Sequence, residues 1–305
     1  MPSGTAFNRT NYAGITPEVS SEILQKTQEE STVMRLARRV TLPGSGLTIP
    51  MITGDPTAAW VAETGMKPVS DPETGTKLMS AYKIAVIETF SDEFVRDAKA
   101  MYDALIARIP GALAKCFDST VLGATEKPGD NFDNFANCTT LSLIPTSSHS
   151  TYDGLVAADT TIALAGGVLN GFALSAQARG ILLSAVDSTG RPLFVNSVAE
   201  GTIPRILGVS TYFNKGVYKA GTAGTSGTPA IVGIAGDWTQ AMYGTVEGVK
   251  IDANNTGVVT RGTGTSATTV NLWQQNMIAV RAEIEVGFRA DTTMFNLLTG
   301  AVPTS

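Results

Sequence analysis

Residues 41–93 constrain this chain more than any other stretch. Leu47 to Trp60 is β-leaning, Leu78 to Phe90 alternates apolar and polar, and Glu63 to Lys77 between them is rich in Gly, Pro, Thr and charge. The pattern predicts a long two-stranded excursion. An isolated hairpin is marginal in water because it has no second layer to cover its apolar face. Apolar residues on such an excursion call for cover from another chain, which points to assembly before it points to chemistry.

Composition agrees. Charged residues make up 16% of the 305-residue chain, against about 25% in soluble domains. A surface this poor in charge is expected where neighbours cover much of it. The length suits one or two domains. The net charge is −5 and the only basic cluster is Arg35, Arg38 and Arg39, which is too short to track a phosphate backbone. Sequence-specific nucleic-acid binding is therefore not expected, although mild acidity suits a wall that must not adhere to an enclosed polyanion. Two cysteines, Cys116 and Cys138, are too few for a disulfide framework and fit no zinc spacing. The N-terminal residues lack the basic start and apolar run of a signal peptide, and no apolar run reaches the ~18 residues of a membrane span. The expectation is a soluble product made in the cytoplasm, with no membrane partner and no cofactor.

Along the chain, residues 1–16 read as an extended arm. Pro17 opens a helical stretch running to Val40. Ser91 is a good N-cap, followed by Asp92 and Glu93 in the first turn. Phe94, Ala98, Met101, Leu105, Ile109, Leu113, Phe117 and Val121 then recur at helical steps, predicting one long helix bent by Pro110 near Ile106. Residues 125–150 read as a loop. Residues 151–240 read as a separate α/β unit: a helix over Asp153–Leu164, a strand over Gly171–Ser175, a helix over Ala176–Val186, and strands over Ile206–Phe213 and Ala230–Ala235. Ile278, Val280, Ala282, Ile284, Val286 and Phe288 alternate strictly with Ala279, Arg281, Glu283, Glu285 and Gly287. That predicts a long strand packed on the long helix, with the α/β unit inserted between the two.

Candidate chemistry is thin. His149 is the only histidine; it sits among serines in a loop, whereas a catalytic triad needs an oriented imidazole. No phosphate-binding loop or dinucleotide fingerprint is present. Residues 129–134, GDNFDN, lack the spacing of a calcium loop and read as a turn. Glu63, Asp71 and Glu73 lie on the linker, where they cannot hold the fixed separation of a catalytic pair. They are expected to make salt bridges to a neighbouring subunit.

Four blocks in order resemble the major capsid proteins of tailed bacteriophages, the Hong Kong ninety-seven fold. Ile49 to Asp71, with Trp60-Val-Ala-Glu63 at its centre, is similar to that family's extended loop. Ser91 to Ala98 is similar to the start of its spine helix. Gly233 to Ile251 resembles the Gly-Asp segment leading back from its axial domain, and Asn276 to Thr299 its last long strand and tail. The resemblance implies an α+β subunit with an N-terminal arm (1–40), an extended β-hairpin loop (41–90), a peripheral domain with the spine helix (91–150), an inserted axial α/β domain (151–240) and a return to the peripheral domain with the long strand and C-terminal tail (241–305). It implies pentamers and hexamers of this chain tiling an icosahedral shell around double-stranded DNA, in the virion, with a portal and a possible decoration protein as partners. Only about sixteen residues precede the recognisable arm, so a fused scaffold is expected to be absent and a separate one present, if any. Some members crosslink through a Lys–Asn isopeptide bond beside a Glu. Lys77, Asn276 and Glu283 match that pattern only if one residue is inserted near Lys77, and Glu283 is expected instead to pair with Arg281 or with a neighbour.

The expectation is a non-enzymatic shell subunit, with Trp60, Glu63, Lys67, Asp71 and Glu73 at the subunit interface. A nanocompartment shell holding a cargo enzyme shares the fold. A cytosolic hydrolase is the alternative from another class.

Overall fold

The computed structural model describes residues 31–52, 58–67, 69, 74–146, 149–186, 190–194, 205–224, 227–262 and 267–301. The expected arm and most of the first helix lie outside them. The described helix α1 is Thr32–Leu36, capped by Ser31, and the chain then turns extended at Ala37. Arg38–Val40, expected to continue the helix, lies in strand β1 (Arg38–Thr41). Sheet pairing overrides local periodicity here, because β1 lies parallel to β10 at the edge of a sheet.

The excursion follows as β2 (Leu47–Ile52) and β3 (Thr74–Met79), paired from Leu47 opposite Met79 to Ile52 opposite Thr74. The second arm is thus Thr74–Met79, not Leu78–Phe90. Most of the latter is β4 (Tyr82–Ser91), which pairs along its whole length with β14. Both stretches are β-leaning and only two residues separate them, so the boundary cannot be read from periodicity.

The long helix is three pieces: α2 (Asp92–Asp97), α3 (Lys99–Ile106) and α4 (Ile109–Val121). The chain leaves helical geometry at Ala98 (φ −126°, ψ 41°). It turns again before Ile109, so Pro110 falls in the first turn of α4. Its missing N–H costs nothing there, because first-turn donors have no intrahelical acceptor.

After α4 come β5 (Thr139–Ser142), α5 (Thr151–Leu164), β6 (Gly171–Leu174), α6 (Ala176–Ser184), β7 (Arg205–Ile206), β8 (Val209–Phe213) and β9 (Ile231–Gly236). The chain closes with β10 (Ala241–Thr245), β11 (Lys250–Asn254), β12 (Val258–Arg261), β13 (Thr268–Asn271), β14 (Met277–Ala290) and β15 (Phe295–Thr299). The supposed loop 125–150 is anchored rather than free. Phe132 and Phe135 are buried within it, and β5 joins a sheet.

Two larger sheets result. In the first, β14 carries β4 on one edge and β10 then β11 on the other, with β1 outside β10. The second runs β5-β15-β9-β6-β8-β7. The final strand, in a stretch read only as the C-terminal tail, is an interior strand of the second. Its residues show why. Leu298 packs with Phe172, Leu174 and Val232 under α5 and α6, while Phe295 and Leu297 face the opposite core. Strands covered on both faces lose polar alternation, and β6, β9 and β15 do so.

Three cores follow. Val280, Ala282 and Ile284 of β14 pack on Phe90, Phe94, Ala98, Ile109 and Leu113, as strand-on-helix periodicity predicts. α5 and α6 cover one face of the second sheet. Between the two sheets lies an aromatic cluster. Phe135 stacks on Phe295 at 4.3 Å, Phe288 meets Phe135 at 5.6 Å and Phe117 at 6.1 Å, and Trp238 sits 5.2 Å from Phe295. Such offset and edge contacts each add ~0.5–1.5 kcal/mol beyond area burial.

Candidate assembly surface

Three segments meet at the root of the β2–β3 hairpin. Arg289, at the end of β14, donates from Nε and Nη2 to the Leu78 carbonyl (2.8 and 2.6 Å), from Nη1 to Asp133 (2.8 Å) and from Nη2 to Asn131 (3.1 Å). Asp133 also accepts from the Ala290 N–H at 3.2 Å. The planar guanidinium suits this fork, since its donors are fixed in one plane. Residues 129–134 form the expected turn, with the Phe132 N–H donating to the Gly129 carbonyl at 3.3 Å, and its Asn131 and Asp133 are two of the acceptors that hold Arg289. Close packing completes the root: a side chain at Gly287 would meet the Ser80 carbonyl at 2.7 Å and Met79 at 2.8 Å. The hairpin is therefore braced in direction where it leaves the body.

Beyond the root it is poorly covered. Along β2 and β3 one face is half-buried while Thr48, Pro50, Thr76 and Leu78 are exposed. At the far end, Trp60 is 105% exposed, Met66 96% and Val69 88%. A turn holds this tip: Thr64 takes a left-handed φ of 66°, and the Gly65 N–H donates to the Ala62 carbonyl at 2.9 Å. Glu63 and Lys67 are exposed beside Trp60, and neither has an ion pair among the described residues. Asp71 and Glu73 lie outside the described residues. An exposed indole flanked by Met and Val is a surface that water disfavours.

The three crosslink candidates do not meet within one chain. Lys77 donates to the Ala290 carbonyl (3.3 Å) and pairs with Asp133 at 3.7 Å, so it sits at the C-terminal end of β14. Asn276 precedes the N-terminal end of that fourteen-residue strand, roughly 45 Å away at ~3.3 Å per residue. Its backbone φ of 49° shapes the turn, and its carbonyl accepts from the Asp92 N–H at 2.9 Å. Glu283 pairs with Lys83 (3.6 Å) and with Arg281 (3.7 Å), the second as expected.

The contacts of His149 are local. His149 Nε2 lies 2.9 Å from the Ser142 carbonyl. The neighbouring Ser150 and Asp153 form a capping box at the start of α5. Among the described residues no group of His, Cys, Asp or Glu could hold a metal ion, and no helix is long and apolar enough to cross a membrane.

One buried carboxylate escaped sequence reasoning. Asp118 on α4 accepts from Ser31 Oγ (2.6 Å), the Thr32 N–H (2.9 Å), the Val33 N–H (3.3 Å) and Asn214 (3.2 Å), tying the start of α1 to α4. The only signal was an Asp beside Phe117 on an otherwise apolar stripe. Burial pushes its pKa up from 3.8 to about 6, and the hydrogen bonds from Ser31, Thr32 and Val33 offset only part of that. The folded chain therefore binds a proton here that the unfolded chain lacks, in the window between the two values. This group's contribution to stability rises as pH falls from about 6 towards about 4, with a slope of at most ~1.4 kcal/mol per pH unit. Denaturant midpoints across that window should show wild type gaining on Asp118→Asn as the solution is acidified. A pH-independent difference would refute the burial account.

Comparison with known proteins places these features. The phage capsid family matches residues 13–291. The probable major capsid protein of Mycobacterium phage L5 is 31% identical, covering 90% of this chain and 85% of the relative. That of Mycobacterium phage D29 is 29% identical, covering 99% and 98%. A solved structure from Gordonia phage Cozz shares the fold with a TM-score of 0.72 at 21% identity, covering 96% of this chain and 91% of that one. The braced hairpin, the two sheets and the match over almost the whole length lead to one conclusion: this chain belongs to the phage capsid family.

Proposed function

We propose that the β2–β3 hairpin is the grip by which one wall subunit holds the next. The chain is a major capsid protein, a repeated structural subunit of a phage shell, and its place is the capsid of the virion. The observation that carries the finer reading is the hairpin itself: braced at its root by Arg289, bare along one face, and tipped by an indole with no cover from its own chain.

The rest follows from symmetry and charge. A contact in which a knob on one copy meets a different surface on the next closes into rings, and we read these as pentamers and hexamers. Many modest contacts sum to a durable shell. With a net charge of −5, the wall suits enclosed double-stranded DNA held without sequence-specific binding. In this reading a separate scaffolding protein, a portal and a decoration protein act on the shell, the chain is made in the host cytoplasm, and it catalyses no reaction. The first sheet with α2–α4 is the peripheral domain. The second sheet with α5 and α6 is the axial domain, completed by β5 and β15 from outside the 151–240 segment.

Electron microscopy of the purified protein, with nucleic-acid analysis of any particles, tests the shell. Trp60→Ala tests the grip. Because the side chain is fully exposed, the subunit should keep its stability within about 0.5 kcal/mol while forming few or no particles. Normal particles from that variant would show the tip assignment to be wrong.

A further inference from the structure

We infer that Trp60 of one subunit seats in an apolar notch between α4 and β4 of a second copy, an inference that rests on the shell reading above and names the receiving site. The notch has a volume of about 290 Å³, is open to solvent, and is lined by Tyr82, Ala85, Cys116 and Pro128 among others. Buried Phe117 and Phe132 line it as well. It is concave, mostly apolar and large enough to admit an indole. Trp60 does not fill it in its own chain, since that side chain is fully exposed.

Charge argues for a second copy as the occupant. Glu126 stands at the rim without an ion pair among the described residues, and Lys83 at the same rim is already engaged by Glu283 and Glu285. Counting the two glutamates paired with Lys83, carboxylates outnumber cations around the notch. Lys67, seven residues after Trp60 on the tip, is exposed and has no ion pair among the described residues. Seating the indole brings that lysine towards Glu126. Knob and notch lie on different parts of the chain, so each subunit gives one and receives one. This is the head-to-tail arrangement that closes a ring. In a wall built from one repeated chain, each tip also has many copies of the notch within reach.

Cys116 lines the notch and is exposed, whereas Cys138 is buried, so the native thiol reports on the seat. In particles carrying Trp60→Cys, or Glu63→Cys where the indole is needed for assembly, a short bis-maleimide should link subunits into a ladder on a denaturing gel. The ladder should vanish when Cys116→Ser is added. In wild-type particles, Cys116 should resist a maleimide that labels it readily in dissociated subunits. Intact particles with no ladder, a ladder that persists without Cys116, or equal labelling in both states would overturn the seat while leaving the shell standing. Failure of the wild-type chain to form particles at all would remove the shell reading and the seat with it.

Discussion

Replacing Arg289 with alanine is expected to destabilise the dissociated subunit by about 3 kcal/mol, because one partner of a largely buried ion pair is removed and the other stays behind. Arg289 is 8% exposed. Its loss leaves the Leu78 carbonyl without the two donors it now receives and leaves Asp133, among the described residues, with Lys77 at 3.7 Å as its ion-pair partner. Arg289→Lys should recover only part of this, since a single ammonium cannot serve Leu78, Asp133 and Asn131 from one plane. Urea denaturation of subunits kept dissociated is the measurement. A shift below about 1 kcal/mol for the alanine variant would mean the root is held by packing at Met79 and Gly287 instead. The fork also sets where the hairpin points, so the lysine variant should assemble worse than its stability loss alone would explain.

Phe288→Ala should cost about 3–5 kcal/mol, the range for deleting a fully buried aromatic ring. Phe288 belongs to β14 in the first sheet, yet its ring touches Phe135 and Phe117, and Phe135 stacks in turn on Phe295 of the second sheet. The cavity would open where the two sheets join. Phe288→Leu should lose distinctly less, because it restores most of the volume. Equal losses for alanine and leucine in the same urea experiment would argue against a cavity at the junction.

Particular elements show where sequence reasoning reached and where it stopped. β14 was legible because one face packs on helices and the other carries Arg281, Glu283 and Glu285, so period two survives in the residues themselves. Ser91 was legible as a cap because its hydroxyl acts locally, on the Phe94 N–H. Trp60 was legible from the Trp-Val-Ala-Glu block that carries the resemblance, although the β-leaning arm read as ending there stops at Ile52. The breaks at Ala98 and before Ile109 were not, since an apolar stripe at helical spacing looks the same whether the helix is continuous or jointed. Nor were β1 and β5, short edge strands whose partners lie far along the chain in β10 and β15. The Arg289 fork was invisible for the same reason: its acceptors, Leu78, Asn131 and Asp133, are more than 150 positions away.

By itself the sequence determined the α+β class, the long alternating strand, the protruding hairpin and the family, because each rests on local periodicity or on ordered motifs. Only the tertiary structure decided where the hairpin ends, which sheet takes the last strand, and what braces the root. Those depend on pairing and burial between distant segments, and a strand or a buried charge becomes favourable only once its partner is in place.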